Sequence, residues 1–577
     1  MRLARVKAPA ARQCPFRPGR TTRGRGIAMI GYNHAHSQEN RVRLDSIVEE
    51  LLPDRKLIIS SNRGPVEYHW NEENSNLEAR RGSGGVVTAI SAASRFTNPV
   101  WIACAMTEGD RRLASETTSE YTDWSQGDQR YRLRFVTPSK QEFNDYYGAI
   151  SNPLLWFLQH YMWDAPRTPN ITRETRKAWL SYASVNARMA EAISDEVDRD
   201  SQDTIIMLHD YHLYLCPGIL RERLRRNALI THFIHIPWPG PGYWGLLPAE
   251  FRERIFSSLC SCDILGFQTA LYARNFLGTC SELLPGAKVD TAASSVTLGG
   301  HTLRVRVYPI SIDVGALIEL AESIEVREHR QRLRARCGDY TIVRIDRVEP
   351  SKNIVRGFKA FEQLLEDYPE YRGRVKFLAF LVPSRLSVEE YKKYIEEIMV
   401  SAGWINTRFS DGAWQPIELF VGENYLRAIA AMQLYDVLLV NPLIDGMNLV
   451  AKEGATVNQN NGVIVLSEGA GAAEQLREGA LVVSPADVIG TAEALHRALE
   501  MSLEERQLRA EWLRKSVAAE DIAMWLYHQL DDIREILANP APLSMHPVPD
   551  KGNAEPVHLE EKTATQARVA GTDSFVV

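Results

Sequence analysis

The chain has 577 residues, room for about three or four domains. Its 45% hydrophobic and 24% charged content is that of an ordinary soluble globular protein, and a formal charge of −6 argues against a general nucleic-acid binder. No apolar run approaches the length that spans a bilayer. Cysteines at 14, 104, 216, 260, 262, 280 and 337 form an odd, dispersed set, which suits a reducing cytoplasm better than a disulfide framework. Cys260 and Cys262 are close, but no second Cys or His pair completes a metal site.

In chain order, residues 1–45 read as an unfolded basic arm. The first 25 carry eight Lys or Arg and no acid, with no apolar core for a signal peptide; a start placed too early, with Met29 as the true one, is the alternative. Residues 56–61 are a short buried strand, and Asn62-Arg63-Gly64-Pro65 turns out of it. Arg81-Gly-Ser-Gly84-Gly85-Val opens a helix on a glycine pair that lets backbone approach a ligand, or that forms a plain tight turn. The aromatics between 143 and 163 are assigned mostly to the core, and 177–197 to an amphipathic helix. A strand at 204–209 ends in His209-Asp210-Tyr211-His212, at the end of a parallel strand where such folds place their sites. Residues 229–239 are the next strand and its exit loop, and 262–266 and 304–309 are further short strand candidates.

From Thr341 the alternation restarts, with strands at 341–345, 375–381, 436–441, 463–467 and 480–483 and helices between. Two successive β/α series predict an α/β chain of two doubly wound, Rossmann-like domains with a cleft between them, at 46–315 and 316–520. A last amphipathic helix covers 521–539, and 540–577 read as a disordered tail.

The most informative stretch is Asn441-Pro-Leu-Ile-Asp445-Gly446-Met447-Asn448-Leu449-Val450-Ala-Lys-Glu453. A buried strand runs into a glycine turn and then a helix, so free N–H groups and a positive dipole end suit a phosphate. Asp445 can accept from sugar hydroxyls, and Glu453, about two turns on, from a ribose. Arg347 and Lys352, in the loop after the strand at 341–345, supply two cations for a diphosphate.

Taken together, these segments resemble the retaining glycosyltransferases typified by trehalose-6-phosphate synthase, glycosyltransferase family 20, with the two-domain GT-B architecture. The matching pieces are Ser61-Asn-Arg63, Gly84-Gly85, Tyr146-Tyr147, Leu155-Trp156, His209-Asp-Tyr-His-Leu213, His235-Ile-Pro237, Gly266-Phe-Gln-Thr269, Val307-Tyr-Pro-Ile310, Arg347 with Ser351-Lys352, Pro383-Ser-Arg385 and Asp445 to Glu453, in the family's order from about residue 55 to 535.

The resemblance implies that Arg347 and Lys352 bind the diphosphate of UDP-glucose. It places the donor glucose on Asp445 and the backbone of Gly446, Met447 and Asn448, phosphate on the N–H groups of Leu449 and Val450, and the ribose on Glu453. His209 would touch the donor sugar, and Gly84 and Gly85 would lie over the nucleotide. Arg63, Tyr147, Trp156 and Arg385 would form the pocket of a phosphorylated acceptor. Transfer would proceed with retention, without a carboxylate nucleophile, a metal or any cofactor, UDP-glucose being a co-substrate. A cytoplasmic enzyme that binds UDP-glucose and a sugar phosphate, with no nucleic-acid partner and a possible homo-oligomeric state, is the expectation.

The sequence departs from the family pattern near the acceptor. Glu349-Pro350 stand where the family has Asp-Tyr, Asn353 replaces a Gly, Leu386-Ser387 replace Gly-Asp, and Trp238-Pro-Gly-Pro-Gly-Tyr-Trp244 is richer in Pro, Gly and Trp. Glucose 6-phosphate is the leading acceptor. Glycerol 3-phosphate or a cyclitol phosphate remains an alternative on the strength of the Trp238 loop, and so does a catalytically silent sugar-phosphate sensor.

Overall fold

The computed structural model describes residues 23–71, 76–81, 99–116, 121–126, 129–224, 228–385 and 388–539. Among the described residues eighteen strands follow one another. They are β1 Arg55–Ser61, β2 Val66–Asn71, β3 Asn76–Arg81, β4 Val100–Cys104, β5 Thr122–Gln126, β6 Gln129–Val136, β7 Asp203–His209, β8 Ala228–Ile234, β9 Ile264–Phe267, β10 Lys288–Asp290, β11 Ser295–Leu298, β12 His301–Val307, β13 Tyr340–Arg347, β14 Val375–Val382, β15 Ile417–Val421, β16 Val437–Val440, β17 Val463–Ser467 and β18 Leu481–Val483.

The first sheet has the order β10-β11-β12-β9-β8-β7-β1-β4-β6-β5, parallel from β12 to β6 with antiparallel strands at both edges. The second, β15-β14-β13-β16-β17-β18, is parallel throughout. Both sheets are buried on their two faces, which is why their strands read as continuous apolar runs. In β1, Leu57 and Ile59 enter one core and Ile58 another; in β13, Val343 and Ile342 divide in the same way. One of these cores is continuous across both sheets, joining Leu57, Met207 and Phe233 to Val343, Leu378 and Leu438.

The strand order reverses between β1 and β7 in the first sheet, and between β13 and β16 in the second. At such switch points the loops after the strands part and leave a crevice. The second-series strands lie where periodicity puts them, with one addition. β15, Ile-Glu-Leu-Phe-Val, is a partly exposed edge strand in which Glu418 leaves an apolar run of only three residues.

The N-terminal expectation requires correction. A helix spans Arg23–Leu51, and its residues 36–51 are packed against the body. Leu44, Ile47, Val48 and Leu51 bury one stripe, and Ser37 and Asn40 extend it upstream. Ser37 donates to Asp521 at 3.0 Å, Asn40 donates to the Ala518 carbonyl at 2.9 Å, and Arg41 grips both oxygens of Asp313 at 2.9 and 3.0 Å. Asp313 and Asp521 begin the helices Val314–Ala321 and Ile522–Ala538, where the chain crosses between the two sheets. The Ile522 N–H donates to the Ile312 carbonyl at 3.0 Å, tying one crossing to the other. The strongly basic first 25 residues dominated the composition of 1–45 and hid this apolar stripe. The expected tail at 540–577 lies outside the described residues.

A chain beginning at residue 36 should therefore melt as the full chain does. One beginning at residue 53 loses buried apolar groups worth roughly 1.5–3 kcal/mol each and should melt at clearly lower temperature. Equal melting temperatures for the two would show that the helix does not dock.

The last helix, Ile522–Ala538, returns to the first sheet. Trp525 meets Phe233 edge-on at 5.3 Å, while Arg306 and Tyr308 donate to Asp532 at 3.0 and 2.6 Å.

Candidate active site

Strand ends from both switch points converge on the seam between the sheets. β1 delivers Asn62 and Arg63, β7 His209 and Asp210, β8 His235. From the second sheet come Arg347 to Lys352 after β13, Arg385 after β14 and the 441–448 turn after β16. Gly446 makes closure of the seam possible. A Cβ there would lie 2.0 Å from the His235 carbonyl oxygen, so only hydrogen fits. Tyr272, from the first sheet's side, donates to the Asp445 carbonyl at 3.0 Å.

On the donor side, Lys352 Nζ lies 2.5 Å from Asp445 Oδ2, and Asn448 Nδ2 donates to the same oxygen at 3.0 Å. Asn448 sits in the left-handed region at φ +73°, which Asn tolerates, and the helix Leu449–Val457 begins at once behind it. The N–H groups of Leu449 and Val450 thus head a helix with no intrahelical acceptor. Met447 is buried, and its carbonyl accepts from Ala472 N–H at 2.8 Å. Glu453, half-buried, accepts from Tyr425 at 2.9 Å, and burial raises its pKa against that bond. Arg347 is the open cation of the site, its side chain 51% exposed.

The loop carrying Lys352 rests on groups that sequence reasoning passed over. Arg344, fully buried in β13, donates to Asp346 and Asn441 at 2.7 Å each and also to the Lys352 carbonyl. Asn353, at φ +60°, occupies a position whose backbone suits Gly; its amide donates to the Asn441 and Pro485 carbonyls at 3.0 and 2.7 Å. The departure from Gly is therefore compatible with the loop. Lys452 is buried and donates to the Ile310 carbonyl at 2.8 Å; burial pulls it down to about 7. It pins the donor helix to the segment leaving the first sheet.

The residues expected to hold the acceptor depend on an unusual helix. Asn144–Trp156 is a π-helix. Nine residues separate Tyr147 from Trp156, about two and a half turns of an α-helix, which would put them on opposite faces. Wider turns closed by i→i+5 bonds make nine residues about two turns and return both rings to one side. Pro153 lacks an N–H, and Ser151 and Asn152 side chains donate five residues back, to the Tyr146 and Tyr147 carbonyls at 2.8 and 3.0 Å. The aromatics here divide as follows: Tyr146, Trp156 and Phe157 are buried, whereas Tyr147 is half-exposed.

Arg385 projects over the Trp156 ring, 4.0 Å from its centroid, and donates to Tyr391 at 2.8 Å. Its backbone is held at φ +46°, a strained value for a residue with a side chain. Arg63, from the other sheet, is exposed and pairs with Glu67 at 3.2 Å. Burial raises the pKa of Tyr147, but the cations Arg385 and Arg63 outweigh it and lower the net value, so both arginines bear on one hydroxyl. Trp156 Nε1 is buried without a hydrogen-bond partner among the described residues.

His209 sits deeper than expected for a sugar contact. It is 1% exposed, with Nδ1 3.3 Å from Nε2 of His235, the more exposed member of the pair. Burial keeps both imidazoles neutral, His209 well below its usual value and His235 at about 3. Asp210, named in the sequence beside His209 but given no role, follows it at the end of β7. It sits at φ +71°, and burial pushes its carboxyl up to about 7 against the N–H groups of Tyr211 and His235. Gly84, Gly85 and Leu386-Ser387 lie outside the described residues. Trp238 and Trp244 are fully buried among Phe256, Phe267 and Phe276, so these tryptophans are core groups and their loop loses its force as a sign of another acceptor.

Two doubly wound sheets meeting at their switch points, with Lys352 and the 441–448 turn on one side and Arg385 over the Trp156 ring on the other, define the GT-B architecture. The chain belongs to glycosyltransferase family 20, whose model matches residues 55–535. It is 31% identical over 474 residues to the alpha,alpha-trehalose-phosphate synthase [UDP-forming] A of Dictyostelium discoideum, covering 82% of this chain and 61% of that relative's length. Among solved structures, it is similar to the E. coli trehalose-6-phosphate structure bound with UDP-2-fluoro glucose, at a TM-score of 0.71, 30% identity and coverage of 84% of this chain and 99% of that one. It also resembles the alpha,alpha-trehalose-phosphate synthase (UDP-forming) from Burkholderia xenovorans in complex with glucose-6-phosphate, at a TM-score of 0.70, 30% identity and coverage of 83% and 100%. Among the described residues, no helix is long and apolar enough to cross a membrane.

Proposed function

We propose that this chain is a retaining glucosyltransferase that moves glucose from UDP-glucose to glucose 6-phosphate, giving α,α-trehalose 6-phosphate and UDP. The observation that carries this reading is the pairing across one seam of Lys352 and Asp445 with Arg385 and Trp156. Relatives solved with a UDP-glucose analogue and with glucose 6-phosphate agree with it.

In this reading Arg347 and Lys352 bind the diphosphate and take up charge as the bond from the anomeric carbon to the diphosphate oxygen breaks. Asp445, held by Lys352 and Asn448, accepts from donor hydroxyls. Leu449 and Val450 offer N–H groups to phosphate, and Glu453 takes the ribose. The acceptor hydroxyl forms the new bond on the face the diphosphate leaves, and its proton passes to the departing phosphate oxygen. His209 touches the donor sugar, its Nδ1 held 3.3 Å from Nε2 of His235. Arg63, Tyr147, Trp156 and Arg385 hold the acceptor phosphate and sugar.

The test is purified protein with UDP-glucose and a panel of glucose 6-phosphate, glucose, glycerol 3-phosphate and a cyclitol phosphate. UDP release with an α,α-linked phosphodisaccharide, identified by mass and anomeric NMR, is expected for glucose 6-phosphate alone. Transfer to another acceptor would overturn the substrate, and no UDP release with any of them would favour the sensor. Because two protein cations cover the diphosphate, EDTA is expected to leave the rate within about twofold; complete loss restored by magnesium would overturn that expectation.

A further inference from the structure

One buried charge in the site has no part in the steps above. Glu349 lies two residues beyond β13 and is 0% exposed. Its backbone is fixed in a tight turn: its N–H donates to the Arg347 carbonyl at 2.9 Å, and its carbonyl accepts from Lys352 N–H at 2.9 Å. Its Oε1 lies 3.3 Å from Arg347 Nε and 3.2 Å from Arg385 Nη1, with the Ser384 hydroxyl at 3.5 Å. Its Oε2 is buried with no hydrogen-bond partner among the described residues. Burial raises the pKa of this carboxyl, but Arg347, Arg385 and Lys352 outweigh burial and hold it at about 2. It is therefore ionised throughout the physiological range.

A buried carboxylate is costly unless its partners repay the lost hydration. Here one oxygen serves two guanidinium groups that come from different strands and face different substrates. Without it, two cations within reach of the same point repel each other. With it, ordering one guanidinium restricts the other. Arg347 is half-exposed and has freedom to lose; Arg385 is already clamped between Glu349, Tyr391 and the Trp156 ring.

We propose that Glu349 is a positioning residue that couples the two substrate sites, holding the donor-side Arg347 and the acceptor-side Arg385 on a single carboxylate oxygen. This rests on the reading of the donor as UDP-glucose and of the acceptor as glucose 6-phosphate. When the acceptor phosphate fixes the clamped Arg385–Glu349 pair, Arg347 is ordered on the same oxygen, so the diphosphate meets a cation whose ordering cost is already met. Linkage makes the effect reciprocal: UDP tightens glucose 6-phosphate binding by the factor by which glucose 6-phosphate tightens UDP binding.

The test is calorimetric titration of the full chain with UDP, with glucose 6-phosphate, and with each in the presence of the other. The unaltered protein should show mutual tightening of about fivefold or more, the lower range of measured couplings. Glu349→Gln keeps the shape and removes the charge, and should bring the factor close to one while each ligand still binds alone. Glu349→Asp keeps the charge on a shorter arm and should give an intermediate factor. If the Gln variant does not fold, the Asp variant carries the test by the same comparison. Binding of both ligands without coupling in the unaltered protein, or coupling unchanged in the variants, would overturn this inference alone. Failure of the unaltered protein to bind either ligand would overturn the proposed function and this inference with it. A merely structural role for Glu349 would lower the melting temperature of the variants and leave the coupling factor where it was.

Discussion

Arg347→Ala and Lys352→Ala are each expected to lower kcat by about two to three orders of magnitude, the equivalent of roughly 3–4 kcal/mol of lost transition-state stabilisation. The two should fail differently, because their surroundings differ. Arg347 is half-exposed and, among the described residues, pairs with Glu349. Its loss removes charge stabilisation of the departing diphosphate and leaves the buried Glu349 with one guanidinium fewer, so the melting temperature should fall as well. Lys352 is largely buried and lies against Asp445. Its loss also leaves that carboxylate without its cation, so the donor sugar loses a positioned acceptor and the UDP-glucose KM should rise as well. Arg347→Lys should recover only part of the rate, since an ammonium cannot present the paired N–H groups of a guanidinium. Near-normal turnover in both alanine variants, with the fold intact by circular dichroism, would remove the pair from the mechanism.

The second large effect is expected at Arg385. Arg385→Ala should raise the glucose 6-phosphate KM roughly 10- to 150-fold, the range set by hydrogen bonds to a charged group at about 1.5–3 kcal/mol. The UDP-glucose KM should move far less. Arg385 lies over Trp156 from the opposite sheet, so it contacts both walls of the pocket. With it gone, the acceptor site should hold water more often, and the ratio of UDP-glucose hydrolysis to transfer should rise. Arg63→Ala, at an exposed position paired with Glu67, should show a smaller acceptor effect in the same direction. Loss of UDP-glucose binding in the Arg385 variant, or equal use of free glucose by the unaltered protein, would show that Arg385 does not read the acceptor phosphate.

The position of the second domain's strands was legible because each is a run of Val, Ile, Leu and Phe covered on both faces, as β14, Val375–Val382, shows most plainly. The donor turn was legible because strand, glycine turn and helix follow one another within the contiguous stretch from Asn441 to Glu453, so local order and spatial order coincide. The N-terminal helix was missed because its apolar stripe was averaged with a basic segment beside it. The edge strand β15 was missed because half of its side chains are partly exposed and no periodic run survives.

By itself, then, the sequence determined two β/α series, the switch from one to the other and the donor loop, all of which follow from local periodicity and turn chemistry. It also determined, through the resemblance, which residues to ask about. Only the tertiary structure decided which of them meet. Tyr147 and Trp156 share a face because a π-helix widens the turn between them, and no α-helical count predicts that. His209 is covered and His235 is the more exposed because β7 and β8 end side by side, a fact of sheet order. Glu349 looked like a departure from the family pattern near the acceptor. It is fully buried between Arg347 and Arg385 because β13 and β14 are neighbours whose loops fold over the same point. Charges separated by 36 positions in the chain are brought within 3.2 Å only when β13 and β14 have paired side by side in one sheet, and burial of the carboxylate then strengthens its attraction to both guanidinium groups.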